Sequence, residues 1–147
     1  MPRSLHPRHC AVLAILAVLA VPAPALADGA IAVGMPSDVA KEGVAFGWVI
    51  RALTRQEAER DALNQCHSFL DAPESTRALC AVMKTFKNEC VAIALDPEPG
   101  TPGVGWAVLP TKTAADSKAM ADCRATAGAD RVGFCKVTTS RCDGTAK

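Results

Sequence analysis

The sequence predicts an α+β domain: two tandem β-β-α-β repeats forming a mainly antiparallel sheet with two helices packed on it, stapled by disulfides. Two halves of the chain resemble each other, which indicates an internal duplication. Short apolar runs bounded by Gly and Pro have the length of strands, and two alanine-rich segments have helical periodicity. Of the 7 cysteines, all but Cys10 fall into two triplets, Cys66/Cys80/Cys90 and Cys123/Cys135/Cys142.

The N-terminal residues 1–27 have the pattern of a secretory signal peptide. Basic residues precede the apolar run from Ala11 to Val21, and a small-x-small pattern ends at Ala27. A membrane-spanning helix needs about 20 apolar residues, and this run is shorter. We therefore expect cleavage between Ala27 and Asp28, an exported chain that is periplasmic or secreted, and no stable membrane anchor after cleavage.

Composition bounds the class of protein. The chain has 147 residues, a formal net charge of +1 and 50% hydrophobic residues. This length allows one domain of ordinary size. The near-zero charge argues against a nucleic-acid partner, and the hydrophobic content excludes a disordered chain. We expect a single domain over residues 28–142, with repeats at about 28–89 and 90–142, and a disordered tail over 143–147.

The repeat is clearest around two tryptophans. Trp48 and Trp106 each follow a glycine and precede a threonine, two alanines four residues apart, and a cysteine. Upstream of each tryptophan lies an apolar run of strand length, Ala30–Val33 in one half and Val91–Leu95 in the other. The pattern of each half therefore predicts the order strand, strand, helix, strand.

Both predicted helices begin at a threonine. Thr54-x-x-Glu57 has the form of a capping box, in which the hydroxyl accepts from a free amide of the first turn. In the second helix Thr113-x-x-Asp116 is a weaker version, and Thr111 is a competing start. Alanine and cysteine then recur four residues apart, on one face of each helix, so that the helix sits close against a sheet.

Two connections also stand out. Lys87–Glu89 is predicted to be a hairpin turn between the strands on either side of it. Asp96–Gly105 is too rich in proline to pair and is predicted to be a loop. It is either a plain connection or a binding loop, since loops often carry function.

The six cysteines of an exported chain imply three disulfides. The rival interpretation is a metal site on Cys66 and His67, but zinc sites use closely spaced cysteine pairs that residues 28–147 lack. Repeat symmetry leaves two sets of pairs open. One set is Cys66–Cys80, Cys123–Cys135 and Cys90–Cys142; the other is Cys66–Cys90, Cys123–Cys142 and Cys80–Cys135.

Candidate catalytic residues are few. His67 is either a general base or a C-terminal helix residue that satisfies the last carbonyls. Glu57, Glu59 and Asp61 are either catalytic carboxylates or a solvated helix start, which their spacing favours. No nucleophile, zinc-hydrolase or phosphate-binding motif occurs in the sequence. We therefore predict no enzyme activity and no cofactor.

The two tryptophans are the candidate partner-binding residues. Trp48 and Trp106 occupy equivalent repeat positions, so they form either two related ligand platforms or the main bulk of an alanine- and valine-rich core.

The repeated pattern resembles a known family. The pattern is clearest in Gly47–Cys66 and Gly105–Cys123, and Cys80–Val91 continues it. It consists of Gly-Trp-x-[Val/Ile] followed by Thr-x-x-x-Ala-x-x-x-Ala-[Leu/Met]-x-x-Cys. In these segments the chain resembles the small exported bacterial proteins of the domain of unknown function 4189 family. The second segment departs by lacking the acidic-Ala-acidic stretch. The resemblance implies export and a disulfide-bonded repeat domain, and it supplies no catalytic residue.

The function we predict is a non-catalytic exported binding domain that engages a protein partner. A more specific version is a periplasmic immunity or inhibitor protein that blocks a toxin. The alternatives are a secreted effector and a small cell-envelope hydrolase that uses His67.

Overall fold

The computed structural model describes residues 28–147. The signal peptide expected over residues 1–27, with its cleavage site after Ala27, lies outside the described residues. Asp28, the expected first residue of the mature chain, opens the first strand.

The order of elements repeats along the chain. The first repeat contains β1 (Asp28–Gly34), the short helix α1 (Val39–Glu42), β2 (Ala45–Ala52), α2 (Arg55–His67), the short helix α3 (Glu74–Arg77) and β3 (Ala81–Phe86). The second repeat contains β4 (Cys90–Leu95), β5 (Val104–Leu109), α4 (Lys112–Thr126) and β6 (Lys136–Cys142). Apart from the two short helices, both repeats have the predicted β-β-α-β order.

The strands form two antiparallel sheets of three strands each, in the orders β2-β1-β3 and β5-β4-β6. The sequence predicted a single sheet, and here the structure differs. β3 and β4 do not pair, so Lys87–Glu89 carries the chain from one sheet to the other instead of closing a hairpin. The reason is that β1 and β4 are each paired on both edges within their own repeat.

Each central strand separates small side chains from large ones. Ala30 and Ala32 of β1 pack against α2, whereas Ile31 and Val33 point to the opposite face and join the core between the sheets. In β4 the alanines likewise face α4, and Val91 and Ile93 face the other sheet. The domain is therefore layered helix, sheet, sheet, helix.

The glycine before each tryptophan permits the close approach of helix to sheet. A Cβ atom at Gly47 would collide with the Ala62 carbonyl oxygen and the Cys66 backbone nitrogen of α2. Gly105 stands in the same relation to α4. Only a residue without a side chain fits at these positions, because helix backbone occupies the space.

Both long helices begin at capped threonines. The Thr54 hydroxyl accepts from the Glu57 amide at 3.1 Å, and the Thr111 hydroxyl accepts from the Ala114 amide at 3.3 Å. The second helix therefore starts from Thr111 and not from the alternative capping box at Thr113.

Three disulfides cross-link the described residues. Two of them tie the end of a long helix to the segment before the following strand, and the third joins β4 to β6. The bridges are Cys66–Cys80, Cys123–Cys135 and Cys90–Cys142. This is the first of the two sets that repeat symmetry left open.

The C-terminal residues 143–147 are packed on the fold, in contrast to the expected disordered tail. Asp143 is fully buried, and its Oδ1 accepts from the Arg51 amide at 2.7 Å. The Thr145 amide donates to the Asn88 side chain at 3.0 Å, and the Lys147 carbonyl accepts from the Lys112 amide at 2.9 Å. Long-range partners order this segment, and local composition does not reveal them.

Candidate functional site

The two sheets stack so that β2 lies near β6 and β3 lies near β5. On one side, the Arg141 guanidinium lies 5.9 Å from the Trp48 ring centroid. On the other side, the Lys84 ammonium donates to the Val108 carbonyl at 3.1 Å. Each side brings together two strand edges that have no partner strand within their own sheets.

The β3–β5 side is bridged by a lysine. Besides the bond to Val108, Lys84 forms an ion pair with Glu89 at 3.0 Å, which holds the ammonium in place. When the repeats are aligned on Cys80 and Cys135, the counterpart of Lys84 is Thr139. A threonine is too short to span two sheets about 10 Å apart, so Thr139 forms no such bridge. The cross-sheet hydrogen bond on the β2–β6 side lies elsewhere, between the Arg51 amide near the end of β2 and Asp143 just after β6.

An apolar cleft of about 700 Å³ lies on the β2–β6 side, where Thr139 leaves the two sheets without a bridging side chain. We name it the Trp48 cleft. Its lining comes from both repeats and from the segment after α2. The lining residues are Phe46, Trp48, Gln65, Ser68, Phe69, Leu70, Asp71, Ile93, Leu95, Thr138 and Thr139.

Leu70 lies at the rim of the cleft. It is 84% exposed, the largest exposed fraction among the exposed large apolar side chains of the described residues. Its neighbour Phe69 turns inward and packs against the core beneath α2. An exposed leucine next to an apolar cleft is typical of an interaction surface, whereas isolated exposed apolar residues are common.

The charges around the cleft are unevenly placed. Arg141 is exposed and forms no ion pair with any of residues 28–147. Its guanidinium lies 5.9 Å from the Trp48 ring centroid, at the outer limit of a cation–π contact, and so next to a lining residue of the cleft. Asp71 is the acidic lining residue. The strand β6 itself contains Lys136 and Arg141 and no acidic residue.

Trp48 and Trp106, the predicted binding residues, are both half-buried. Each packs partly against the core between the sheets and also lines a groove, so core and surface roles coexist. The groove beside Trp106 is smaller, about 370 Å³, and Met35 and Thr126 line it. The structure does not bring the two tryptophans to one surface groove.

The edges next to the two tryptophans are covered differently. The Thr126 hydroxyl bonds to both the amide and the carbonyl of Val104 at 2.9 Å, which caps the edge of β5. At the edge of β2, the Gln65 side chain accepts from the Trp48 amide at 3.3 Å. Side chains of the adjacent helix therefore shield parts of both edges.

The predicted loop after β4 is anchored by an ion pair. The Asp96 carboxylate, whose side chain is fully buried, receives two hydrogen bonds from Arg131 at 2.7 Å. These hydrogen bonds hold the pKa of Asp96 below its usual value. Arg131 also pairs with Glu98 at 2.8 Å and lies 4.1 Å from the Phe134 ring centroid. A groove of about 340 Å³ separates this loop from α1.

His67 has a structural environment. Its Nδ1 lies 2.9 Å from the Arg77 carbonyl oxygen, so the ring donates there, and Arg77 donates back to the His67 carbonyl at 3.3 Å. Among residues 28–147 no Ser, Asp or Glu side chain is hydrogen-bonded to the imidazole. The imidazole therefore joins the end of α2 to α3, whereas the last carbonyls of α2, the expected partners of His67, accept from the Ser68 backbone amide.

The acidic cluster on α2 is also engaged locally. The Glu57 carboxylate accepts from the Leu53 amide at 3.2 Å, and Asp61 pairs with Arg60 at 2.8 Å. Glu59 pairs with Arg55, also at 2.8 Å. These carboxylates lie towards the start of the helix, and His67 is its last residue.

Within residues 28–147 no group of three or more His, Cys, Asp and Glu side chains is placed to hold a metal ion. In the same range no helix has the length and apolar character needed to cross a membrane.

Sequence reasoning found Trp48 but missed the rest of the cleft. Thr139 and Arg141 carry no local motif, and they come near Trp48 only because sheet stacking brings β2 and β6 together. Leu70 reaches the cleft from the segment after α2, and it carries no local motif either. The one available signal was the alignment of Lys84 with Thr139, which is meaningful only once the stacking is known.

Comparison with known proteins gives one match. The family model described as Domain of unknown function (DUF4189) matches residues 29–142, nearly all of the described chain. No curated protein and no solved structure matches significantly.

Proposed function

Because the chain belongs to the DUF4189 family, whose description assigns no activity, we propose a function from its own structure. The chain is an exported, disulfide-bonded, non-catalytic domain that binds a protein partner through the Trp48 cleft. The observation that carries this proposal is the apolar cleft with Leu70, 84% exposed, at its rim.

Export is supported by the covalent framework. Three disulfides in a small domain are typical of oxidising compartments such as the periplasm or the extracellular space. The signal-peptide pattern of residues 1–27 points the same way. The periplasm is the compartment we propose.

Binding without catalysis is supported by how the polar groups are used. The Nδ1 atom of His67 is occupied by a backbone carbonyl, and Glu57 caps a helix start. The cleft is lined mainly by apolar and hydroxyl side chains and contains the single carboxylate Asp71. Such a surface suits protein contacts, in which an apolar centre is surrounded by polar residues.

An inhibitor of a toxin is the specific form that we favour. Cross-linked, rigid domains lose little conformational freedom on binding, which favours durable complexes. The secreted-effector and hydrolase alternatives have no comparable supporting contact in the described residues.

The test compares two leucines. Leu70→Lys puts a charge at the rim of the cleft, and Leu53→Lys is the matched control, since Leu53 is 60% exposed and lies at the opposite end of α2. Each oxidised chain is immobilised and exposed to periplasmic extract of its own bacterium, and bound proteins are quantified by mass spectrometry.

We expect one protein to be retained by the unsubstituted chain and by L53K and to be lost from L70K. The interaction is then rebuilt from the purified components and measured by calorimetry. A protein retained equally by all three chains, or no retained protein, would contradict the proposal.

A further inference from the structure

Resting on the proposed function, we infer the chemistry of the partner segment. It is an extended strand with alternating apolar side chains and at least one carboxylate, and it pairs with the free edge of β6. The carboxylate faces Arg141, and the apolar side chains enter the Trp48 cleft. Three independent features of the site carry this inference.

The first feature is the strand edge. β6 is paired with β4 alone, so its other edge has no partner strand in the described residues. On the β2 side of the cleft, the Trp48 amide already donates to the Gln65 side chain. On the β6 side, the one side chain of the described residues that donates to a β6 carbonyl is Arg141, which bonds to the adjacent Ser140 carbonyl at 2.8 Å. An unpaired edge is a template for a further strand.

The second feature is the shape of the cleft. Stacked sheets lie about 10 Å apart, whereas a helix with its side chains is about 10–12 Å across. The side chains of the two sheets already fill that gap, so a partner binds at the edge of β6 and not between the sheets. A helix cannot pair with this edge, because its backbone groups are bonded within the helix. An extended strand pairs about 4.8 Å beyond β6, and its alternate side chains then face the cleft beside Trp48.

The third feature is charge. Arg141 lies over Trp48 and lacks an ion-pair partner among residues 28–147. Lys136 adds a second positive charge at the other end of β6, and the strand has no acidic residue. A guanidinium next to Trp48, which itself lines the cleft, is complementary to a carboxylate of the partner, and such complementarity provides specificity more than affinity.

The test is a selection from random peptides displayed on phage. Peptides of roughly twelve residues are long enough to pair with a strand of average length. The target is the full chain, expressed with its own N-terminal residues and purified with its disulfides intact. Parallel selections use Arg141→Glu and the control Arg124→Glu, since Arg124 is an exposed arginine of α4 that lines none of the described grooves.

We expect selected peptides to alternate apolar residues, to contain Asp or Glu and to lack central prolines. Their affinity for R141E falls about two- to fivefold, the range of an exposed ion pair, and is unchanged for R124E. N-methylation of alternate peptide amides abolishes binding, and bound peptide slows hydrogen exchange of the β6 amides.

Helical, proline-rich or basic peptides, or acidic peptides that bind R141E equally well, would overturn the inference. If the partner retained from extract is lost with L70K while R141E changes no selection, strand pairing is wrong and the proposed function stands. If no ligand from either source depends on Leu70, both are wrong.

Discussion

The two open sides of the sandwich are built from equivalent strands, yet they are bridged differently. Lys84 crosses from β3 to the Val108 carbonyl of β5, whereas its counterpart Thr139 lines an apolar cleft, and the cross-sheet hydrogen bond on the β2–β6 side joins Arg51 to Asp143 instead. The comparison shows how a duplicated fold becomes asymmetric: the backbone architecture is repeated, and side chains at equivalent positions differ in length.

A second pair of equivalent positions fixes the connection between the first two strands of each repeat. Thr76 is fully buried and donates to the Glu42 carbonyl at 2.7 Å. Its counterpart, when the repeats are aligned on Cys80 and Cys135, is Arg131, which binds the buried Asp96 carboxylate. The first repeat thus uses a neutral hydrogen bond where the second uses an ion pair.

The third difference is covalent. Cys66–Cys80 and Cys123–Cys135 are equivalent bridges, but Cys90–Cys142 has no counterpart in the first repeat, where Asp28 and Lys87 occupy the aligned positions. The second repeat is therefore cross-linked twice, and the extra bridge adjoins the buried Asp143 that receives the Arg51 amide.

Removing the extra bridge should have the largest effect on stability. Cys90 and Cys142 are 52 residues apart, so the double substitution to serine should destabilise by about 4 kcal/mol in the chain-entropy model. Removing Cys66–Cys80, with a separation of 14 residues, should cost about 3 kcal/mol. Urea unfolding followed by circular dichroism measures both, and equal losses would mean that loop length does not govern this comparison.

The next largest loss of stability should come from substituting the glycine before each tryptophan, and it should be similar in the two repeats. Gly47→Ala and Gly105→Ala each force a methyl group into helix backbone and should destabilise by about 1–3 kcal/mol or more. Gly133→Ala is the control, since its Cβ meets nothing within 4 Å. Thermal unfolding measures all three; a neutral G47A would show that α2 is not held as closely as α4.

Acid should affect the second repeat through Asp96. The Arg131 hydrogen bonds make the pKa of Asp96 lower in the folded chain than in the unfolded chain. The ion pair therefore stabilises the folded chain fully at pH values above the unfolded pKa of about 3.9. That stability is lost as the pH falls through the folded pKa. The difference in unfolding free energy between the unsubstituted chain and Asp96→Asn should therefore shrink below about pH 4. A constant difference down to pH 2 would contradict this.

Substitutions at Lys84 and Thr139 should change the free energy of unfolding least and the accessibility of the Trp48 cleft most. Lys84→Thr removes one hydrogen bond and a partly exposed ion pair, a loss of about 1 kcal/mol. Thr139→Lys places a long side chain at the Trp48 cleft and should shield Trp48. Acrylamide quenching in a Trp106→Phe background measures this, and quenching that T139K leaves unchanged would show that Lys84 and Thr139 do not control access.

The local elements were predictable because neighbouring residues define them. Thr54 caps its helix through the Glu57 amide three residues away, and the alanine spacing identifies the buried face of α2. The pairing at Cys66–Cys80 followed from repeat symmetry as one of two options. The start of α4 remained ambiguous, since the side chains of Thr111 and Thr113 can both cap a helix. The packing of residues 143–147 could not be predicted from composition, because their partners lie far away in the sequence.

The sequence by itself determined the duplication, the order of strands and helices and the small-residue faces, since these depend on periodicity and on residues close in the chain. Only the tertiary structure decided that the strands divide into two stacked sheets and that a cleft remains beside Trp48. The contacts responsible join residues far apart, such as Arg51 and Asp143, 92 positions away. Such contacts depend on how completed sheets pack, and no local pattern encodes them.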